Sequence, residues 1–178
     1  MPRPLAVANL LAGGPVSYAS GLALQRERVA ARRDDRAPDT LILLEHAPVV
    51  SYGRMADPAH RLVSEAEFAA AGIELVATDR GGDATYHGPG QLVGYPVVHL
   101  GDGNRDLHRY VRALEEVVIR AAADCGARGA HRVDFHAGVW IGDGYLAAIG
   151  VKVSRWVTHH GFALNVDDRV RDGFATIV

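Results

Sequence analysis

Lysine and cysteine are almost missing from this chain of 178 residues: Lys152 is the only lysine and Cys125 the only cysteine. A single cysteine excludes an internal disulfide and a cysteine-rich zinc site. In "AAADCGARG", where an apolar helix runs into glycine, Cys125 reads as a small buried hydrophobe. An excess of either charge is missing too. The formal net charge is −2, so no basic field points to nucleic acid or a membrane surface as partner. No run of about 18 apolar residues is available to span a bilayer. The opening "MPRPLAVANLLAGGPV" has the wrong length and flanks for a signal peptide, which makes the cytoplasm the expected location. There is no phosphate loop, no G-x-G-x-x-G opening a helix, no H-E-x-x-H and no G-x-S-x-G elbow. Neither a metal nor a diffusible cofactor is expected.

What is present suits one globular domain over residues 1–178. Hydrophobic residues make up 48% and charged residues 22%, an ordinary soluble balance, and the length is too short for two comfortable domains. Tyr18, Leu22, Gln25 and Val29 fall on one stripe, predicting an amphipathic helix. "TLILLEH" reads as a buried strand, and "VVSYG" as its neighbour after a turn at Pro48. Ser64 and Glu67 form a capping-box pattern for a short helix stopping at Gly72. "IELVATDRGG" and "QLVGYPVVHL" read as strands, the second pushed toward a sheet edge or a bulge by Pro96. Leu107, Val111, Leu114 and Val118 mark the longest helix. "GVWIG", "YLAAIGVKV" and "VTHHGFALNV" complete a strand-rich last third, with a turn at Asp143-Gly144. Without regular βαβ alternation, the expected class is α+β.

"RGGDATYHGPGQLVGYPVVHL", from Arg80 to Leu100, concentrates glycine and polar groups. Glycines at 81–82 and 88–90 predict two sharp bends around a short strand, read either as a plain hairpin or as backbone laid against a ligand. His159 and His160, adjacent on a predicted strand, are expected to point to opposite faces.

That stretch, with "LILLEHAPVVSYGRMAD", "GVWIGDGYLAAIGVKVSR" and "HHGFALNV", resembles the octanoyltransferases of lipoate biosynthesis in order and spacing over nearly the whole chain. The resemblance implies a mixed, mostly antiparallel sheet with packed helices, as in the biotin- and lipoate-protein ligase catalytic domains. It implies transfer of octanoyl from octanoyl-acyl carrier protein to an enzyme cysteine, then to a lysine of a lipoyl domain, in 2-oxo acid dehydrogenase complexes or the glycine cleavage H protein. A covalent intermediate divides one difficult transfer into two. The substrate-contacting residues it implies are Arg80, Gly81, Gly82, Asp83, Ala84, Thr85, Tyr86 and His87, then Ala148, Ile149 and Gly150, then Gly161, Phe162 and Ala163. His160 is expected beside the pocket and His87 at its mouth. The glycines are expected to leave room for eight carbons. Arg54, Arg61 and Arg155 are candidate docking groups for acidic carrier domains. An ATP-using ligase of related fold is disfavoured by "HGPGQLVGYP".

Two departures stand out. In the family's K-hydrophobic-small-small-hydrophobic-G string, Tyr145 occupies the lysine position. Lys152 lies seven residues on, an odd offset that a strand turns to its other face. The family's nucleophilic cysteine, in a Pro-Cys-Gly turn, is expected just beyond Val178, so the family's C-terminal segment is missing here and a strand ending at Val178 is expected to leave an open edge. Cys125 belongs to another helix and is no substitute. The competing expectation is a degenerate module that binds acyl chains or lipoyl domains without chemistry.

Overall fold

A computed structural model describes residues 4–101, 103, 105–134 and 136–178; the first three residues of the N-terminal stretch lie outside it. In chain order the elements are β1 (Leu5–Asn9), α1 (Tyr18–Arg33), β2 (Asp39–Leu44), β3 (Val49–Tyr52), α2 (Glu65–Ala70), β4 (Glu74–Ala77) and β5 (Ala84–His87). There follow β6 (Gln91–Val97), α3 (Leu107–Asp124), β7 (Ala130–His131), β8 (Gly138–Ile141), β9 (Gly144–Ser154), β10 (Val157–Asn165) and α4 (Arg171–Phe174). A seven-stranded sheet runs β1-β2-β6-β10-β9-β8-β7, and a three-stranded sheet runs β4-β3-β5. Among the strands of the described residues, only β1–β2 and β3–β4 pair in parallel. The class is α+β with a mostly antiparallel sheet.

Helix α1 begins where the Ser17 side chain accepts from Ser20 N at 3.2 Å, an N-cap that satisfies an otherwise orphaned donor. Its buried stripe is Tyr18, Gly21, Gln25, Val29 and Arg32, so Gly21 takes the place expected of Leu22. A Cβ at Gly21 would stand 2.7 Å from His46 Cε1; glycine there lets the helix settle onto the sheet. Val29 then joins Ile42, Leu44, Val93, Tyr95 and Ala163 in one core cluster, while Leu114 and Val118 of α3 join Val139, Ala147, Ile149 and Phe162 in another. Each buried Val, Leu, Ile or Phe among them contributes about 1.5–3 kcal/mol by leaving water. The predicted capping box at Ser64 and Glu67 is formed on both sides.

Several sequence expectations are corrected. "VVSYG" is not the neighbour of "TLILLEH": β3 pairs with β4 and β5 in the small sheet, whereas β2 lies between β1 and β6. Pro48 turns the chain from one sheet to the other. Pro96 is not at an edge, since β6 lies between β2 and β10. The sheet yields on one side instead. The β6–β10 ladder stops at Gly94↔Phe162, and pairing resumes at the His99–Val157 bridge. In the gap Thr158 Oγ1 donates to Pro96 O at 2.7 Å. The β8–β9 turn is Gly142-Asp143, because Gly144 already belongs to β9. Cys125 is exposed at the end of α3 rather than buried. The residues up to Val178 form α4 and a bridge between Ile177 and Arg61, not a strand with an open edge.

Candidate active site

Three segments far apart in sequence wall a cavity of about 1170 Å³: the Arg80–Asp83 loop with β5, Ala148–Gly150 of β9, and His160–Ala163 of β10. Tyr18, Tyr95, Val111, Trp140 and Val178 are among the other residues on its walls. Every site residue expected from the sequence lines it except Tyr86. Alternation on β5 turns that ring away. It packs in the small-sheet core, edge-on to Phe174 at 5.8 Å between centroids.

Two of the lining glycines are required by close backbone approach. A Cβ on Gly161 would lie 2.2 Å from Gly94 O, and one on Gly150 would lie 3.0 Å from Gly81 O. Both directions point into neighbouring backbone, not into open space. Glycine here brings the loop down onto β9, where Gly81 N donates to Val151 O at 3.1 Å. The glycine-rich segment is not a plain hairpin, since β5 pairs with β3 while β6 lies between β2 and β10. It is a loop pressed against the sheet so that Arg80 enters the cavity wall.

Arg80 is 6% exposed. Its Nε donates to Ser51 Oγ at 3.1 Å and Nη1 to Gly81 O at 3.0 Å, while Nη2 donates to both oxygens of Ser51. No carboxylate among the described residues lies within ion-pairing distance of it, so a cation fixed by neutral acceptors stands in the wall. Beside it, His87 Nδ1 donates to Gln91 Oε1 at 2.7 Å, and its Nε2 faces Ser51 Oγ at 3.3 Å. The Gln91 amide is oriented by its own Nε2, which donates to Tyr86 O and Asn165 Oδ1. His87 is buried, not at the mouth, and burial together with nearby His46 pushes its pKa down to about 3. His46 is likewise held neutral by burial; Nδ1 donates to Val16 O, and Nε2 meets the Tyr95 hydroxyl at 2.7 Å.

His159 and His160 do not point to opposite faces. His160 has φ +56°, which breaks strand alternation, and the two rings stack with centroids 4.9 Å apart. His160 lines the cavity and its Nε2 meets Asp79 Oδ1 at 2.9 Å. His159 is pushed down to about 4 by burial and by His160. Burial works to raise the Asp79 carboxyl, but hydrogen bonds from Lys152 and His160 hold it well below its usual range. Among the described residues, Asp79, His159 and His160 are the one group with metal-ligand atoms in mutual reach, within 4.8 Å. Lys152 already neutralises that carboxylate.

Tyr145, at the family's lysine position, lines the cavity and donates to Ala137 O at 3.3 Å. Its ring lies 4.6 Å from that of Trp140. Burial pushes its pKa up to about 12, against the pull of Arg80, so it is a neutral phenol. Sequence reading missed Ser51, His60 and Glu115. Glu115 was findable: it sits four residues after Val111 and three before Val118, a carboxylate within an apolar stripe. It is fully buried, paired with Arg112 at 2.9 Å and Arg132 at 3.1 Å. His60 and Asp83 have no local pattern joining them.

This arrangement, a cavity with apolar stretches on β9 and β10 and the buried Arg80 cation in its wall, suits a catalytic domain that handles an acyl chain. The fold is that of lipoate-protein ligases. It superposes on lipoate-protein ligase A solved with ATP with a TM-score of 0.76 at 16% identity, covering 100% of this chain and 72% of that one. On the bi-partite lipoate protein ligase of Thermoplasma acidophilum the TM-score is 0.73 at 18% identity, covering 98% and 67%. Residues 17–178 match the lipoyl protein ligase A/B catalytic domain, and the chain belongs to that family. The curated relatives it matches include octanoyltransferases. The one from Gloeobacter violaceus is 51% identical over 95% of this chain and 73% of that protein, and the one from Rubrobacter xylanophilus 52% over 86% and 69%. The chain is an acyltransferase of the octanoyltransferase kind.

Proposed function

We propose that this chain moves an octanoyl group from octanoyl-acyl carrier protein to the lysine of a lipoyl domain, in 2-oxo acid dehydrogenase complexes or the glycine cleavage H protein, in the cytoplasm. The observation that carries the reading is the convergence of Arg80–Asp83, Ala148–Gly150 and Gly161–Ala163 on one cavity. The acyl chain lies along Ala148, Ile149, Phe162 and Val111, gaining about 0.8 kcal/mol for each methylene removed from water. Arg80 faces the thioester carbonyl, where a preorganised cation stabilises the developing oxyanion. The attacking thiol is that of the family's Pro-Cys-Gly turn, which the resemblance puts after Val178, itself on the cavity wall. Arg54 and Arg155 receive acidic carrier domains; Arg61 is already paired with Glu65 at 2.9 Å.

A second reading, acyl or lipoyl-domain binding without turnover, is favoured by one observation: the neutral Tyr145 supplies no charge where the family has lysine. One experiment separates the two. The protein is incubated with octanoyl-acyl carrier protein and a lipoyl domain, and the domain's mass is followed. Octanoylation above the uncatalysed rate supports the enzyme. Saturable octanoyl binding without transfer supports the binding module.

A further inference from the structure

A second polar centre stands on the cavity wall, apart from the Arg80–His87 network. His60 closes the 3-10 turn Pro58–His60, and its Nδ1 is hydrogen-bonded to Asp83 Oδ2. Both residues line the cavity. Asp83 is anchored through its other oxygen, which accepts from Ala84 N at 2.6 Å and Asp57 N at 3.3 Å. Burial works to raise its carboxyl, but these bonds and His60 hold it below the usual range. The His60 backbone is fixed as well, since its N donates to Asp57 O and its O accepts from Val178 N, each at 3.0 Å.

An ionised carboxylate accepts only, so His60 Nδ1 carries a proton, and in the neutral ring Nε2 then holds the lone pair. Nε2 has no hydrogen-bond partner among the described residues, and 39% of the side chain is open. An imidazole oriented by a carboxylate at one nitrogen and open at the other is the arrangement of a general base. The charged group in contact with the ring is Asp83; Asp57 and Arg61 cap its own turn, and Arg80 lines the same cavity. Arg61 is turned to Glu65 and Arg80 to Ser51.

We infer that His60, oriented by Asp83, is the catalytic acid and base of the acyl transfer, the work for which Tyr145 is chemically unfit; the inference rests on the transfer reading above. His60 Nε2 takes a proton from the ε-ammonium of the acceptor lysine. The neutral amine attacks the octanoyl thioester carbonyl, forming the C–N bond. Collapse breaks the C–S bond, the nitrogen loses its second proton to solvent, and the imidazolium returns its proton to the departing thiolate. Thioester and amine become amide and thiol.

The test is steady-state octanoyl transfer from octanoyl-acyl carrier protein to a lipoyl domain, measured from about pH 5 to pH 9, around the ordinary histidine range. His60→Gln is expected to lower kcat about 10²–10⁴-fold, with KM for the domain little changed and the acidic limb of the profile gone. Asp83→Asn is expected to lower kcat as well, with KM for the domain little changed, because the ring loses the carboxylate that orients it. Added imidazole should restore part of the rate of His60→Ala, which a merely structural role would not allow. In a Tyr145→Lys background the penalty of His60→Gln should shrink. Transfer by the unaltered chain with an unchanged rate and profile in folded His60→Gln overturns this inference alone. No transfer by the unaltered chain overturns both it and the transfer reading. Should His60→Gln fail to fold, an unchanged kcat in folded Asp83→Asn overturns it equally.

Discussion

Lys152 Nζ is hydrogen-bonded to Asp79 Oδ2, and this pairing, not the cavity, is where the chain's single lysine places its charge. On the other side Asp79 Oδ1 meets His160, so Lys152 reaches the cavity only through a carboxylate and a ring. Replacing Lys152 by Gln is therefore expected to change transfer by no more than a few-fold. A half-exposed ion pair of this kind contributes little stability. A loss of transfer comparable to that of an active-site substitution would place the lysine in the chemistry after all.

Tyr145→Lys should have the opposite effect. The position lines the cavity, and both burial and nearby Arg80 disfavour a charged ammonium there, lowering a lysine pKa toward the range of a working base. We expect at least a tenfold gain in octanoyl transfer, read in the carrier-to-domain assay, whereas Tyr145→Phe should match the unaltered chain.

Gly161→Ala is expected to destabilise the fold by about 1–3 kcal/mol, the usual cost of forcing volume into a packed site. The new Cβ would meet Gly94 O at 2.2 Å and Pro96 Cδ at 2.5 Å, and a carbonyl in a strand cannot swing away as a side chain can. Chemical denaturation gives the number. An unchanged midpoint would show that the β6–β10 gap is loose enough to absorb a methyl group.

Stability should fall as pH drops below about 6.5, before most carboxylates titrate. His87 and His159 are held neutral in the fold, at about 3 and about 4, while in the unfolded chain they bind protons near 6.5. Over that interval the unfolded state carries more protons, so each site costs up to about 1.4 kcal/mol per pH unit. The contribution is fully present above the unfolded value and is lost toward the folded one. His159→Gln should flatten the slope of stability against pH between about 6.5 and 4; an identical slope would mean the ring is already charged in the fold.

Glu115→Ala should be among the most damaging changes outside the glycine-rich loop. It leaves Arg112 and Arg132 without their shared buried carboxylate and Gly138 N without its acceptor. The two arginines are part-exposed and remain solvated, so the cost is that of the unpaired buried Gly138 N, about 1–3 kcal/mol, which thermal or denaturant unfolding would detect.

How much of this was legible in the sequence varies by residue. Helices α1, α2 and α3 were readable because period and caps are local: Ser64 and Glu67 meet within one turn. The site segments were readable through a family resemblance, and all but Tyr86 reach the cavity. The failures are long-range. Nothing near Pro96 says that β10 will open beside it, and nothing near Val49 says that its strand joins a second sheet. The stacking of His159 on His160 depends on one positive φ, forced where β10 leaves β6. His60 and Asp83 are 23 residues apart and meet only because the loop after β3 folds back over the glycine-rich turn.

The most direct measurement is photocrosslinking with an octanoyl thioester carrying a diazirine near its terminal carbon, followed by mass-spectrometric mapping of the labelled peptides. Labels on Phe162, on Ala148–Gly150 or on Val111 are the predicted result, because these residues form the apolar wall behind Arg80. Specific labelling confined to residues outside the cavity would contradict the assignment of this cavity as the acyl site.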